Sequence, residues 1–190
     1  MAALQAELLG ANTMGVNNIL CVTGDPPGSL EIDSIGLARM AHELNRGRDF
    51  GGNAIGDPAA FLIGVAANPA AADLDTEVRR FEAKVEAGAE YAITVPIFDA
   101  EVLTAFLDRI ERVSIPVIAS IWPLENARHA EFVANELGLA IPEALLERLR
   151  AGEDGFAIAR EIANAVRPRV AGLRVIAAGD VGSAIGVALA

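Results

Sequence analysis

The sequence is poor in residues that build disulfides and metal sites, with one cysteine and two histidines among 190 residues. Cys21 has no second cysteine with which to form an intramolecular disulfide, and its place in an apolar run is typical of a buried thiol. One cysteine and the well-separated His42 and His129 cannot supply four zinc ligands. We therefore expect no metal site and a reducing, cytoplasmic compartment.

Basic residues are also scarce, with 15 Lys and Arg against 26 Asp and Glu and a net charge of -11. Nucleic-acid binding depends on neutralising phosphates with cationic side chains, so we expect no nucleic-acid partner. A polybasic membrane contact is excluded for the same reason. No stretch is long enough without charge or proline to span a membrane, and the first ten residues have no cationic segment typical of a secretory signal.

Short apolar runs, which predict buried strands, alternate with segments whose apolar residues recur at helical spacing. The five strand segments are "NILCVTGD", "FLIGVAANP", "YAITVPIF", "IPVIASIWPL" and "GLRVIAAGD". They are apolar on both faces, and this alternation predicts an α/β fold with a parallel sheet covered by helices. No linker interrupts the pattern, so we expect a single domain over residues 1–190.

Every predicted strand ends in a polar or proline-marked loop, as in a TIM (β/α)8-type barrel, where the chemistry lies at the carboxyl ends of the strands. Such a barrel needs eight strands, and this chain opens on a helix with five strands after it. We therefore expect about the last five β-α units, with the amino-terminal units missing. The alternative is an open doubly wound sheet, but its glycine-rich phosphate loop is absent, because Gly24 is followed by Asp25-Pro26-Pro27.

Several segments carry a resemblance to a known family: "MGVNNILCVTGDPPG", "FLIGVAANP", "KVEAGAEYAIT", "PIFD" and "PVIASIWPLENARHAEFVANE". In this order they resemble the methylenetetrahydrofolate reductase family, above all the reductase half of bifunctional homocysteine S-methyltransferase/methylenetetrahydrofolate reductases. The resemblance implies a flavoprotein barrel of one-carbon and methionine metabolism. It also implies that FAD takes a hydride from NAD(P)H and passes it to 5,10-methylenetetrahydrofolate, giving 5-methyltetrahydrofolate. The likeness weakens near the carboxyl end, at "VIAAGDVGSAIG".

The resemblance also implies roles for five residues at the cofactor. It makes Asp25 the catalytic carboxylate, which lies beside flavin and folate and favours positive charge on the substrate. It gives FAD contacts to Thr23, Asp25, Asn68, Glu77 and Lys84. Each of these residues also has an ordinary structural explanation. Thr23 would end a strand, Asp25 would be a turn aspartate, and Asn68 would be a turn asparagine before proline. Glu77 would be a charge in the first turn of a helix, and Lys84 would lay its stem along the core.

For the folate substrate, the resemblance points to Val95, Phe98 and Val133. Val95 departs from the family motif T-Q-x-x-F-D, in which the glutamine bonds the pterin; valine can neither donate nor accept such a bond. Asp99, which ends this motif, is expected to cap the following helix. Val133 has core packing as its alternative role.

Three functions are compatible with these residues. The first is a methylenetetrahydrofolate reductase-like enzyme that is poor alone, because the family's general-acid strand is absent. Its open sheet edge predicts self-association into a homo-oligomer or a partner chain that supplies the missing strands. The second is a non-catalytic subunit or interaction module derived from that barrel. A different flavin or pterin barrel enzyme is a third possibility, since fold alone does not determine function.

Overall fold

The structure is a computed structural model of the chain, and it describes residues 1–24, 32–113, 115–177 and 181–189. Helices and strands alternate as the sequence predicts. The elements are α1 (Ala2–Thr13), β1 (Asn18–Cys21), α2 (Ser34–Asn45), β2 (Leu62–Ala67), α3 (Leu74–Glu86), β3 (Tyr91–Ile97), α4 (Ala100–Arg109), β4 (Val117–Ile121), α5 (Ala127–Glu136), α6 (Glu143–Arg150), α7 (Gly155–Val166), β5 (Gly172–Val175) and α8 (Val181–Ala188). A short 3-10 turn, Arg167–Arg169, follows α7.

The five strands form one sheet in the order β1-β2-β3-β4-β5. β1 pairs with β2 in parallel, and β4 pairs with β5 in parallel. The predicted α/β fold with a parallel sheet is therefore confirmed. The chain divides into two compact units, which are described separately below, and the expectation of a single domain over residues 1–190 stays a prediction.

The first unit contains Met1–Ala67, Asp75–Ile93 and Val113–Pro116. The register of its parallel pair places Leu20 beside Gly64 and Cys21 beside Val65. Because side chains alternate along a strand, these two pairs point to opposite faces. Cys21 and Val65 are buried, whereas Leu20 is 41% exposed. The sequence predicts a strand buried on both faces, but in β1 the face of Cys21 is covered and the face of Leu20 is not.

In the same unit, Tyr91 crosses the bare backbone of Gly64. A Cβ atom at Gly64 would lie 2.3 Å from Cζ of Tyr91, so only glycine leaves room for the ring. The Tyr91 hydroxyl donates to the main-chain oxygen of Ile19 at 3.2 Å, and this bond ties β3 to β1 across β2. The loop before β2 folds back on itself, with an isolated antiparallel bridge between Arg48 and Ala54.

The second unit contains Asn68–Leu74, Thr94–Arg112 and Val117–Ala190. Its apolar core joins the end of β3 to α5, α6 and α7. The buried members of this core are Phe98, Leu124, Ala130, Val133, Leu145, Leu146, Leu149 and Ile158. Gly155 opens α7 against the chain after β4; a Cβ there would meet the main-chain oxygen of Leu124 at 1.7 Å.

The helix caps follow the expected chemistry. Asp33 caps α2 by accepting from the Gly36 amide at 3.0 Å, and Asp99 caps α4 by accepting from the Glu101 amide at 2.8 Å. The cap expected at Asp99 is thus confirmed, and α4 ends at Arg109.

Candidate functional site

Thr23 and Ser34 are joined by two hydrogen bonds in the first unit. The Thr23 hydroxyl donates to Oγ of Ser34 at 3.0 Å, and the Ser34 amide donates to Oγ1 of Thr23 at 3.0 Å. Ser34 begins α2 and is buried. The pair therefore fixes the chain on both sides of the segment that holds Asp25, which itself lies outside the described residues. Thr23 remains a predicted FAD contact, with most of its hydroxyl capacity already used.

Lys84 lies on α3 and is only 6% exposed. Its Nζ atom donates to the main-chain oxygen of Ala66, on β2, at 2.7 Å. The carboxylate of Glu77, two turns earlier on the same helix, lies 3.8 Å from Nζ. The ammonium is thus held inside the protein, which differs from the structural alternative of a lysine with its head in water.

Burial lowers the pKa of Lys84, because removal from water disfavours the charged form. Glu77 and Asp33 oppose this effect by attraction, whereas Arg80 adds to it by repulsion. Asp33 and Arg80 also form an ion pair of 3.4 Å between half-exposed side chains, which contributes little to stability. The first unit therefore holds two pairs of opposite charge: the half-exposed pair of Asp33 and Arg80, and buried Lys84 with the partly buried Glu77.

In the second unit, Asn68 directly follows β2 and forms a turn with its own side chain. Its Oδ1 atom accepts from the Ala70 amide at 3.2 Å. This bond is typical of asparagine in turns. The cofactor contact predicted for Asn68 stays a prediction, beside this observed structural role.

An apolar cavity of about 400 Å³ lies in the second unit beside Phe98. This volume is within the range of small-molecule sites. The lining residues are Pro69, Ala70, Ala71, Leu74, Ile97, Phe98, Asp99, Val102, Ala105, Ala140, Ile141 and Pro142. The single charged side chain among them is the capping carboxylate of Asp99, so the cavity suits a largely apolar group.

The other two predicted substrate residues lie in different environments of the second unit. Val95 is half-buried on β3. Val133 is completely buried in the core that also contains Phe98 and Leu124. A ligand could reach Val133 only if this core opened, so its observed contacts are those of a packing residue.

Comparison with known proteins identifies the family. The family model described as methylenetetrahydrofolate reductase matches residues 1–170. The chain belongs to the methylenetetrahydrofolate reductase family. It is 29% identical over 160 residues to the 5,10-methylenetetrahydrofolate reductase of Escherichia coli, and 27% identical over 169 residues to methylenetetrahydrofolate reductase 2 of Schizosaccharomyces pombe. The family predicted from the sequence motifs is thereby confirmed.

These alignments cover 80% of this chain in both cases, but 49% of the bacterial reductase and 26% of the yeast protein. The chain thus spans half or less of these reductases. A solved structure of a Clostridium thermocellum protein, described as binding two copies of 5-methyl-5,6,7,8-tetrahydrofolic acid, matches with a TM-score of 0.53 and 21% identity. That match covers 68% of this chain and 52% of the other, and at this identity it supports the fold alone.

One aromatic contact in this member of the methylenetetrahydrofolate reductase family was not predicted from the sequence. The rings of Trp122 and His129 meet edge to face with centroids 5.8 Å apart, and Nδ1 of His129 accepts from the Glu125 amide at 3.3 Å. The position of His129 three residues after Asn126, the cap of α5, was the available signal in the sequence, since the cap fixes the first turn of the helix.

The part of the reductase-family chain that the structure describes contains no helix long and apolar enough to cross a membrane. Within the same described ranges, no group of three or more His, Cys, Asp or Glu side chains is arranged to hold a metal ion.

Proposed function

We propose that this chain acts as a methylenetetrahydrofolate reductase-like flavoprotein. In this reaction 5,10-methylenetetrahydrofolate is reduced to 5-methyltetrahydrofolate, and FAD, when bound, carries the hydride from NAD(P)H to the folate. The observation that carries the proposal is the family match over residues 1–170. Because the chain spans about half of the bacterial reductase, the complete activity is part of the proposal.

The donors of the first unit fit a flavin cofactor chemically. Lys84 is a buried cation with three N–H donors, of which one bonds Ala66 and another is near Glu77. Such a group suits the phosphate or ribitol oxygens of FAD. Glu77, as an acceptor, suits a ribitol hydroxyl. We assign the remaining cofactor contacts to Thr23, Asp25 and Asn68, and the tuning of flavin and folate charge to Asp25.

We assign the folate substrate to Phe98 and Val95, whereas the completely buried Val133 keeps its packing role. Phe98 lines the apolar cavity and offers an aromatic surface for a flat ring. The side chain of Val95 offers no polar atom, so we expect weaker binding of the pterin than a glutamine at this position would give. The C. thermocellum protein, by its description, binds a methylated tetrahydrofolate, which supports this ligand class.

A further part of the proposal is association, either with a second copy or with a chain that completes the sheet. Leu20 and Leu62 are 41% and 45% exposed on the same face of the β1–β2 pair, and Val22 beyond it is 49% exposed. β1 stands at the end of the strand order, and among the residues that the structure describes no further strand pairs with its outer backbone edge. Exposed apolar side chains next to a free strand edge favour pairing with another polypeptide.

A second candidate, favoured by Val95, is a non-catalytic subunit or interaction module derived from the same barrel. The two functions differ in what Val95→Gln does to tetrahydrofolate binding. If folate binds beside Val95, one added hydrogen bond strengthens binding by up to about tenfold. The matched control is Val170→Gln, at a half-buried position before β5. If neither variant changes folate binding, the chain does not hold folate beside Val95 and the non-catalytic function is favoured.

The flavin assignment is tested through Lys84, the only lysine in the sequence. An acetylating reagent can modify two amines, Lys84 and the amino terminus, and mass spectrometry distinguishes them. We expect FAD to slow acetylation of Lys84 while the amino terminus reacts at an unchanged rate. Equal acetylation of Lys84 with and without FAD would argue against the assignment.

A further inference from the structure

Ser120, in the second unit, has a buried hydroxyl without a partner. The residue lies on β4 and is 0% exposed. Its amide donates to Oγ1 of Thr94 at 2.9 Å, but its Oγ atom makes no hydrogen bond in the described part of the chain. Buried polar side-chain atoms nearly always have a hydrogen-bond partner, so an unpaired hydroxyl points to a missing group.

The neighbouring strand places a cation beside this hydroxyl. Ser120 pairs with Arg174 in the parallel β4–β5 register, so the two side chains leave the same face of the sheet about 4.8 Å apart. Arg174 is exposed, and its guanidinium makes no ion pair or hydrogen bond with any of the residues described. In a protein with a net charge of -11, acidic partners are plentiful elsewhere on the chain.

The same face also leaves room next to Arg174. Gly172 lies two residues earlier on β5, and its partner on β4 is Ile118. A Cβ atom added at Gly172 would have no atom of the described chain within 4 Å. The face therefore combines an arginine, a serine hydroxyl and an open position.

We infer that Ser120 and Arg174 form a binding site for an oxyanion, namely a carboxylate or a phosphate. Such a group accepts hydrogen bonds only, so it is complementary to a hydroxyl and a guanidinium fork. Arg174 contributes charge-assisted hydrogen bonds to its oxygens, and rotation of this exposed side chain opens the way to the Ser120 hydroxyl. The space over Gly172 accommodates the rest of the ligand.

The site is tested on the whole chain by calorimetric titration at constant ionic strength, with inorganic phosphate and N-acetylglutamate as the two probes. A heat of binding with phosphate alone identifies a phosphate site, and one with N-acetylglutamate alone or with both identifies a carboxylate-accepting site. Neither probe requires flavin or folate, so this test is independent of the proposed enzymatic function.

Three variants locate the binding. Arg174→Gln is expected to weaken binding by about tenfold or more, and Ser120→Ala by about threefold to tenfold, as for loss of a charged and a neutral hydrogen bond. Arg39→Gln removes the same charge from an exposed position on α2 in the first unit, and we expect wild-type binding. Circular dichroism confirms that each variant is folded.

The inference is overturned if neither probe binds the wild-type chain, or if Arg174→Gln binds as tightly as wild type. It is also overturned if Arg39→Gln weakens binding as much as Arg174→Gln does, because the effect would then be one of overall charge.

Discussion

The Nζ atom of Lys84 lies 2.7 Å from the main-chain oxygen of Ala66, so the only lysine of this sequence is turned inward onto a strand. The bond joins α3 to β2 near the end of that strand. A buried ammonium is costly unless partners compensate for the lost water. The partners of Lys84 compensate for the lost water only in part, and the pKa of the ammonium is therefore lowered in the folded chain.

The contribution of Lys84 to stability depends on pH, because its pKa is lower in the folded chain than the ordinary 10.5. Between the folded and unfolded pKa values the unfolded chain binds more protons, so the free energy of unfolding rises with pH in that window. We therefore expect wild type to gain stability relative to Lys84→Met as pH rises from neutral towards 10.5. Urea unfolding of both proteins at several pH values measures this difference.

Comparing wild type with Lys84→Met also cancels the effect that ionisation of Cys21 has on the free energy of unfolding. Burial raises the pKa of Cys21 from 9.0 to about 11, so both proteins lose the same stability above pH 9, because the thiol ionises in the unfolded chain while it stays protonated in the folded chain. A difference in unfolding free energy that stays constant across the range would show that Lys84 is not perturbed in the folded state.

The Thr23–Ser34 pair is expected to stabilise the first unit. Thr23→Val keeps the shape of the side chain but leaves the amide and hydroxyl of buried Ser34 without their partner. We expect a loss of about 1–3 kcal/mol in unfolding free energy. Thr13→Val is the matched control, since the Thr13 hydroxyl donates to the Leu9 oxygen at an exposed position. Equal effects of the two substitutions would contradict the special role of the pair.

Two glycine-to-alanine substitutions should have opposite effects on stability. Gly64→Ala forces its Cβ into the Tyr91 ring, and overpacking of this kind costs about 1–3 kcal/mol. Gly10→Ala, within α1 and with no atom near the added Cβ, should stabilise by about 0.5–1 kcal/mol through helix propensity. Thermal unfolding measures both. If Gly64→Ala were neutral, Tyr91 would not be fixed across β2.

Much of the fold follows from local patterns. The alternation of strands and helices predicted the order of the elements, and Asp99 predicted the cap of α4, because these features depend on neighbours in sequence. The exposure of Leu20 was not predictable from its apolar run, since it depends on which face of β1 other elements cover. Hydropathy measures a preference for burial and does not show whether a covering group exists.

The candidate site was less predictable for a related reason. Lys84 was selected by family resemblance, but its bond to Ala66 involves a main-chain oxygen that no sequence pattern marks. Likewise Ser120 and Arg174 are 54 positions apart in sequence, and only the strand register places them side by side. Val133, in contrast, had core packing as an open alternative, and its complete burial agrees with that role.

The most direct test of the account is whether the chain retains FAD. The purified protein is incubated with FAD and passed through gel filtration, and the visible flavin absorbance of the protein peak is recorded for wild type and Lys84→Met. The account predicts flavin absorbance with wild type and a clear loss of it with Lys84→Met, at unchanged elution volume. Elution of all the flavin apart from wild-type protein, or equal retention by the variant, would contradict it.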